Sequence, residues 1–330
     1  MAAVRAAGGE TAGGETAGGE TAGGETAGGG TAGGGTLVYE VTHRTEYEYE
    51  SDVSHSYGQL HVLPREFPGQ RCRSAGVVIV PEPEDYAERV DFFGNRVSFM
   101  AIHEPHRRLS VTATSVVEVD PRGAGRSAGC RRAWEEVRAA LGSSACAERV
   151  DAIQFALDSP LVAGSPKFAE FASRSFTEGR DLLGAVCDLT HRIHTEFAYK
   201  PGATSVTTPV DEVLSTREGV CQDFAHLAIA CLRSIGLPAR YVSGYLETDP
   251  PAGRPKLRGA DASHAWLAVL VPGSGWLEFD PTNDQLVSNR YVVTAFGRDY
   301  SDVPPVSGVI YTEGATERLE VVVDVTALAG

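Results

Sequence analysis

The sequence predicts an α+β protein in two parts, an antiparallel β-sandwich followed by a mixed domain whose helices lead into a run of strands. Three observations carry that expectation. Apolar residues recur every second position from Leu37 to about Asp120. A glycine-rich break at 121–129 ends that period, and spacing of three to four residues begins after it. Beyond the helix that starts at Cys221 the period returns to two.

The first 36 residues stand outside the fold. Gly-Gly-Glu-Thr-Ala is repeated four times over residues 8–27, and 14 of the chain's 37 glycines lie in residues 1–36. Such a segment has nothing to bury, so the entropy of ordering it wins and a flexible coil is expected. The sandwich is expected over 37–120. There Tyr39, Val41, His43, Thr45, Tyr47 and Tyr49 alternate with Glu40, Thr42, Arg44, Glu46 and Glu48, the pattern of a long half-buried strand. Ala75–Val80 and Leu109–Val119 read likewise, and Gly94-Asn95 marks a hairpin turn between Asp91–Phe93 and Arg96–Met100. Residues 121–131 read as a linker and 132–330 as the mixed domain. Helical spacing runs through Ala133–Leu141, Ala147–Leu157, Pro166–Phe171 and Leu182–Phe197. Strands are expected at Ala239–Glu247, His264–Val271, Trp276–Asp280, Arg290–Phe296, Val309–Thr312 and Leu319–Thr326.

Length and charge exclude some functions. At 330 residues with 42% apolar and 22% charged residues, the chain can bury a sizeable core. The formal charge of −15, with no basic cluster beyond pairs such as Arg131-Arg132, argues against a nucleic-acid or anionic-membrane partner. No apolar run is long enough for a membrane span, and the N-terminus lacks the apolar centre of a signal peptide. The six cysteines are too dilute for a disulfide scaffold and form no CxxC pair. A cytoplasmic protein with reduced thiols is expected.

The chemistry concentrates in two segments. In the first, Gly219 and Val220 precede Cys221, after which Phe224, Leu227, Ala228, Cys231, Leu232 and Ile235 recur at helical spacing until Gly236 and Pro238 end the helix. Cys221 falls on the first turn of a buried helix, where unpaired amides and the macrodipole favour negative charge on the sulfur. A backbone N–H there can also face a developing oxyanion. Taken alone, the residue fits a buried structural cysteine equally well. The second segment holds His264 and Asp280 on two strands flanking the Pro-Gly-Ser-Gly turn at 272–275. The two share a face only if paired positions sum to an even number, as with Leu270 opposite Trp276 and Trp266 opposite Asp280. A thiol nucleophile, an imidazole base and a carboxylate that fixes the tautomer form the set that acyl transfer needs. The order Cys, His, Asp is that of papain-like arrangements, although the Cys-Gly-[Ser/Ala]-Cys-[Trp/Tyr] signature is absent.

Gly-Val-Cys221-Gln-Asp-Phe-Ala-His, Leu-Pro-Ala-Arg240-Tyr-Val-Ser-Gly-Tyr245, Ser-His264-Ala-Trp and Phe-Asp280-Pro-Thr-Asn283 closely resemble the bacterial transglutaminase-like family. The resemblance covers nearly all of the chain after the tail. Residues 37–120 resemble the β domain that precedes the core in that family, and Gly297-Arg-Asp-Tyr-Ser-Asp302-Val-Pro-Pro resembles its C-terminal signature. The resemblance implies a papain-like core with Cys221 as nucleophile, His264 as base and Asp280 as orienting acid. It implies a peptide or protein amide substrate, with a peptide-ligating ATP-grasp protein as a further partner. The superfamily includes glutamine–lysine cross-linking enzymes, cysteine peptidases and peptide N-glycanases, along with members that lost the triad. Animal cross-linking enzymes depend on calcium, but no EF-hand pattern or clustered acidic loop occurs here, so no cofactor is carried over.

Secondary candidates stay open. Tyr199, Gln222 and Trp266 fit an acyl pocket or oxyanion site, and each fits a core or surface role as well. Asp223 fits stabilisation of the helix N-terminus, and His226 a satisfied core histidine. Cys187, His191 and His194 share a helical face at metal-ligand spacing but lack a fourth ligand, and simple burial and exposure account for them too. Arg298, Asp299 and Asp302 fit a structural turn better than a substrate contact. The expected reaction is acyl transfer on an amide through a thioester, with hydrolysis favoured, protein cross-linking as the alternative, and a non-catalytic peptide-binding module as a third possibility.

Overall fold

The computed structural model describes residues 2–4, 35–121, 131–142, 152–249, 259, 261, 263–314 and 316–328. The repeat tail, the linker, the start of the helix expected at 147–157 and most of the 247–261 loop lie outside them. Ala2–Val4, expected within the flexible tail, form a short strand β1; this apolar triplet precedes the first repeat.

Six strands follow in the sandwich region: β2 (Leu37–Val53), β3 (His55–Leu60), β4 (Gln70–Val80), β5 (Asp85–Val90), β6 (Arg96–Ile102) and β7 (His106–Val119). The alternation in β2 is realised, with Tyr39, Val41, His43, Thr45, Tyr47 and Tyr49 all buried. The Gly94-Asn95 hairpin also forms, but Val90 pairs with Arg96, so Asp91–Asn95 is the turn rather than part of a strand. Asp91 accepts from the Asn95 backbone and side-chain N–H groups at 2.7 Å, which closes the turn around its own carboxylate.

The helices of the second part are α1 (Trp134–Gly142), α2 (Pro166–Ser173), α3 (Leu182–Glu196), α4 (Val210–Thr216) and α5 (Cys221–Ser234). Their strands are β8 (Ala198–Tyr199), β9 (Glu218–Gly219), β10 (Ala239–Leu246), β11 (Ser263–Val271), β12 (Gly275–Asp280), β13 (Gln285–Leu286) and β14 (Tyr291–Gly297). The chain closes with β15 (Val306–Thr312) and β16 (Thr316–Ala327).

A boundary at 132 does not divide the sheets. One sandwich sheet has the order β16-β2-β7-β4 and the other β1-β15-β3-β6-β5, so the last two strands of the chain complete the N-terminal sandwich. Val325 lies opposite Val41 and Val309 opposite Tyr57. Antiparallel pairing between chain ends has no local code, because an alternating strand fits any neighbour with a matching apolar face.

The third sheet, β13-β12-β11-β10-β14, carries α5 on one face. Every α5 residue from Cys221 to Arg233 is buried, packed between that sheet and the other helices. All nine β11 residues are buried too, with Trp266 and Ala268 packed in one cluster with Val242, Tyr291, Val293 and Phe296 of the same sheet. The sandwich is joined to the edge strand β14 by side-chain amides that act as extra backbone. Gln70 donates to the Val293 carbonyl and accepts from its N–H at 2.7 and 2.8 Å. Asn95 does the same with Phe296, at 2.8 Å in both directions. The first half of β2 packs on this sheet, where Tyr39 and Val41 meet Tyr245 and Val292, while Tyr47 and Tyr49 fill the sandwich core.

Candidate active site

Cys221 is the first helical residue of α5, and the preceding Val220 is extended at φ −119° and ψ −177°. Asp223 fixes this start by reaching back, accepting from the Val220 N–H at 2.8 Å, and it also accepts the Thr204 hydroxyl at 2.6 Å. Gly219 has to lack a side chain here, since a Cβ would press into the Asp223 carboxylate. Asp223 therefore shapes the turn that presents the sulfur. Its burial, only partly offset by these two hydrogen bonds, raises its pKa above the ordinary carboxylate value.

His264 and Asp280 come from the hairpin of β11 and β12. Leu267 pairs with Phe279 and Leu270 with Trp276, an even sum that sets Asp280 level with Trp266 on the face of His264. His264 Nε2 and Asp280 Oδ2 are 2.7 Å apart. The Cys221 sulfur hydrogen bonds to the same ring. The three predicted residues thus form one chain of contacts, all of it buried: Cys221 is 2% exposed, His264 9% and Asp280 0%.

Asp280 is held more completely than its sequence context suggested. Its Oδ2 also accepts from Asn283 Nδ2 and from the Tyr291 hydroxyl, each at 2.7 Å. Its Oδ1 accepts from the backbone N–H groups of Thr282 and Asn283 at 2.8 and 3.2 Å. Tyr291 is fixed in turn by Gln285 Nε2 at 2.6 Å. Burial alone would raise the carboxyl pKa, but His264 and these donors together hold it below the ordinary value. For His264, burial disfavours the imidazolium, yet the Asp280 carboxylate and then the Cys221 sulfur overcome that penalty and raise the ring to about 10. Tyr291 has no one-dimensional signal and reads simply as an apolar strand position, while Asn283 stood in the sequence only as the end of the motif Phe-Asp280-Pro-Thr-Asn283.

The secondary candidates divide. Tyr199, on β8 beside β9, is 48% exposed and packs edge-on against Phe224. Burial, then the nearby Cys221, Asp223 and Asp280, push its hydroxyl pKa upward, which places it at the rim of the site. Gln222 is buried and spends its amide N–H on the Val206 carbonyl at 3.1 Å, pinning the 204–207 segment across the first turn of α5. Trp266 does not line an acyl pocket. It is fully buried, donates its indole N–H to Glu278 at 2.8 Å, and stacks at 6.0 Å behind the His264 ring. Its position on β11 shares His264's face, where the Tyr291 ring packs edge-on against it at 5.2 Å.

His226 is a core histidine, accepting the Tyr300 N–H at 3.1 Å, and burial lowers its pKa to about 4. No group of three or more His, Cys, Asp or Glu side chains among the described residues is arranged to hold a metal ion. His191 instead meets Asp284 at 2.7 Å, and His194 donates to the Thr282 carbonyl at 2.8 Å. Both clasp the loop that follows Asp280. Arg298, Asp299 and Asp302 build a turn. Arg298 pairs with Asp302, and Asp299 accepts the Leu161 and Ser301 N–H groups at 2.7 and 2.8 Å.

Residues 39–118 match the bacterial transglutaminase-like N-terminal region and residues 170–281 match the transglutaminase-like superfamily. An uncharacterised protein of Mycobacterium tuberculosis is 46% identical over 299 residues, covering 88% of this chain and 93% of its own length. One from Mycobacterium leprae is 35% identical over 292 residues, covering 88% of this chain and 98% of its own length. A protein-glutamine gamma-glutamyltransferase of Pseudomonas aeruginosa is 40% identical over 92 residues, covering 27% of this chain and 14% of its own length. A crystal structure from Cytophaga hutchinsonii, named as a candidate cysteine protease, superposes with a TM-score of 0.67 at 22% identity, covering 89% of this chain and 93% of that one. That likeness concerns the fold.

Proposed function

The chain belongs to the bacterial transglutaminase-like family, and from that premise we propose that it is a cysteine-dependent acyl-transfer enzyme acting on amide bonds of peptides or proteins. The observation that carries this reading is the His264 ring, bound through Nε2 to a buried carboxylate and facing the Cys221 sulfur at a helix N-terminus. A lone structural cysteine needs none of these partners.

The chemistry follows from the positions. The thiol proton passes first to His264, giving a thiolate–imidazolium pair, and the sulfur then attacks the amide carbon to form a tetrahedral oxyanion against the first-turn N–H groups of α5. His264 then gives its proton to the departing amine, the C–N bond breaks, and a thioester remains on Cys221. A second nucleophile loses a proton to His264 and attacks the thioester, which releases the acyl group and restores the thiol. Asp280 keeps one tautomer and steadies the imidazolium through both halves.

We assign water as that second nucleophile, since water reaches any open thioester whereas a dilute amine needs a site of its own. Transfer to lysine is the second reading, favoured by the 92-residue match to a protein-glutamine gamma-glutamyltransferase. We place the protein in the cytoplasm, since its six cysteines are too dilute for a disulfide scaffold and form no CxxC pair. No described helix is long and apolar enough to cross a membrane.

Iodoacetamide at pH 6 should label Cys221 stoichiometrically, and the His264→Ala variant should lose that labelling; an inert thiol in the native chain would mark a binding module instead. With a glutamine-containing polypeptide and a fluorescent primary amine, ammonia or new N-termini without incorporation support hydrolysis, and incorporation supports transfer.

A further inference from the structure

A cavity of about 800 Å³ lies between the sandwich and the core. Its floor is the outer face of the sheet β15-β3-β6-β5. The strand registers set Val309, Tyr57, Ala101 and Asp85 in one row, with Phe99 and Ala87 in the next. Val206 and Thr207 on one side and Tyr300 and Ser301 on another form its roof. The alanines give the floor its depth. Tyr57 and Phe99 give it aromatic walls, with the Arg89 guanidinium 4.9 Å above the Phe99 ring.

Two features define what fits. The sheet order ends on β5, which among the described residues has no strand on its outer side, and all six of its side chains are exposed. An open edge of that kind offers a row of N–H and C=O groups that an extended chain can pair with. A small compact ligand would leave it unused. The second feature is the link between the cavity wall and the start of α5. The Val206 carbonyl that borders the cavity accepts from Gln222, the residue after Cys221. Thr204, two residues earlier, holds Asp223. The cavity wall is therefore the same segment that crosses the first turn of α5.

We propose that this groove binds an extended segment of the polypeptide substrate, paired along β5 with side chains against Tyr57 and Phe99, and that the segment leads past Val206 to Cys221. The proposal rests on the acyl-transfer reading and assigns the sandwich a share in substrate recognition. It also accounts for the pairing of a charged, fully exposed edge strand with an aromatic floor.

The test uses the full-length Cys221→Ala protein, which cannot turn a substrate over, and fluorescein-labelled casein as an unfolded polypeptide. Fluorescence anisotropy should show saturable binding. Adding Ala87→Trp, which fills the groove from an exposed position, should weaken it at least fivefold, and Phe99→Ala should weaken it too should the tryptophan variant fail to fold. Absence of saturable binding, or equal binding by the groove variants, overturns the proposal. Iodoacetamide labelling of the unsubstituted chain reads the acyl-transfer assignment separately, so failure of one is distinguishable from failure of the other.

Discussion

Asp280 accepts five hydrogen bonds while fully buried, and this environment governs how its partner titrates. His264 is raised from its ordinary 6.5 to about 10. A raised base stabilises the fold fully below its unfolded value, so this contribution is complete below about pH 6.5 and declines as pH climbs through 10. For Asp280, held below the ordinary 3.8, the contribution is present above that value and is lost as pH falls beneath it. The imidazolium that protonates the leaving amine should persist to the alkaline side, giving a pH–rate profile with its upper limb near 10. Replacing Asp280 with Asn removes the charge that opposes burial. The upper limb should then move down by more than one pH unit and the rate should fall. An unmoved limb in Asp280→Asn would show that another group sets it. Asp280 itself was legible in the sequence from its order after Cys221 and His264 and from the motif Phe-Asp280-Pro-Thr-Asn283, and the even hairpin parity its role required is the one the structure has. Tyr291 was not, since a tyrosine in an apolar strand reads the same whether it packs or donates.

The elements around the site are fitted to one another more tightly than their propensities require. Gly244 of β10 lies opposite His264, next to a register shift between β10 and β14. A Cβ there would overlap the Val292 carbonyl and the ring of Trp266, the indole that backs His264. Gly244→Ala should destabilise the protein by about 1–3 kcal/mol through overpacking, measured by chemical denaturation, and should also slow alkylation of Cys221. An unchanged unfolding midpoint would contradict this packing. Helix α3 contributes from the other side. His191 and His194 grip residues 284 and 282, so the loop that carries Asn283 is anchored from outside the sheet. The sequence showed those histidines on one helical face but not what they faced, because spacing along a helix specifies a direction and not a neighbour. The hairpin register was different. Its turn residues and apolar alternation set the two strands side by side and left only the parity open, and the structure adopts the even sum, with Leu267, Val269 and Phe279 packed against α5.

At the scale of the whole molecule, the N-terminal sandwich takes two of its strands from beyond the core in sequence. Strand β16 pairs with β2 from Tyr39 to Tyr49, and β15 sits between β1 and β3. Asp261, three residues ahead of His264, accepts the Thr248 N–H and hydroxyl at 3.0 and 2.6 Å and the Val325 N–H at 2.7 Å. The last strand thus fastens the entry to β11. A chain truncated after Pro305 should lose cooperative melting in the sandwich as well as thiol reactivity, as followed by circular dichroism and iodoacetamide labelling. A truncated protein that melts like the full chain would refute this coupling. The closing strands also set an order of assembly. Along the chain β2 and its partner β7 come early and its other partner β16 comes late, so one edge of β2 stays unpaired in a nascent polypeptide until residues 316–327 have been made. Until then the Tyr39–Tyr49 edge of β2 is open, and that interval is when the newborn protein is most exposed to wrong pairing or to capture by a chaperone.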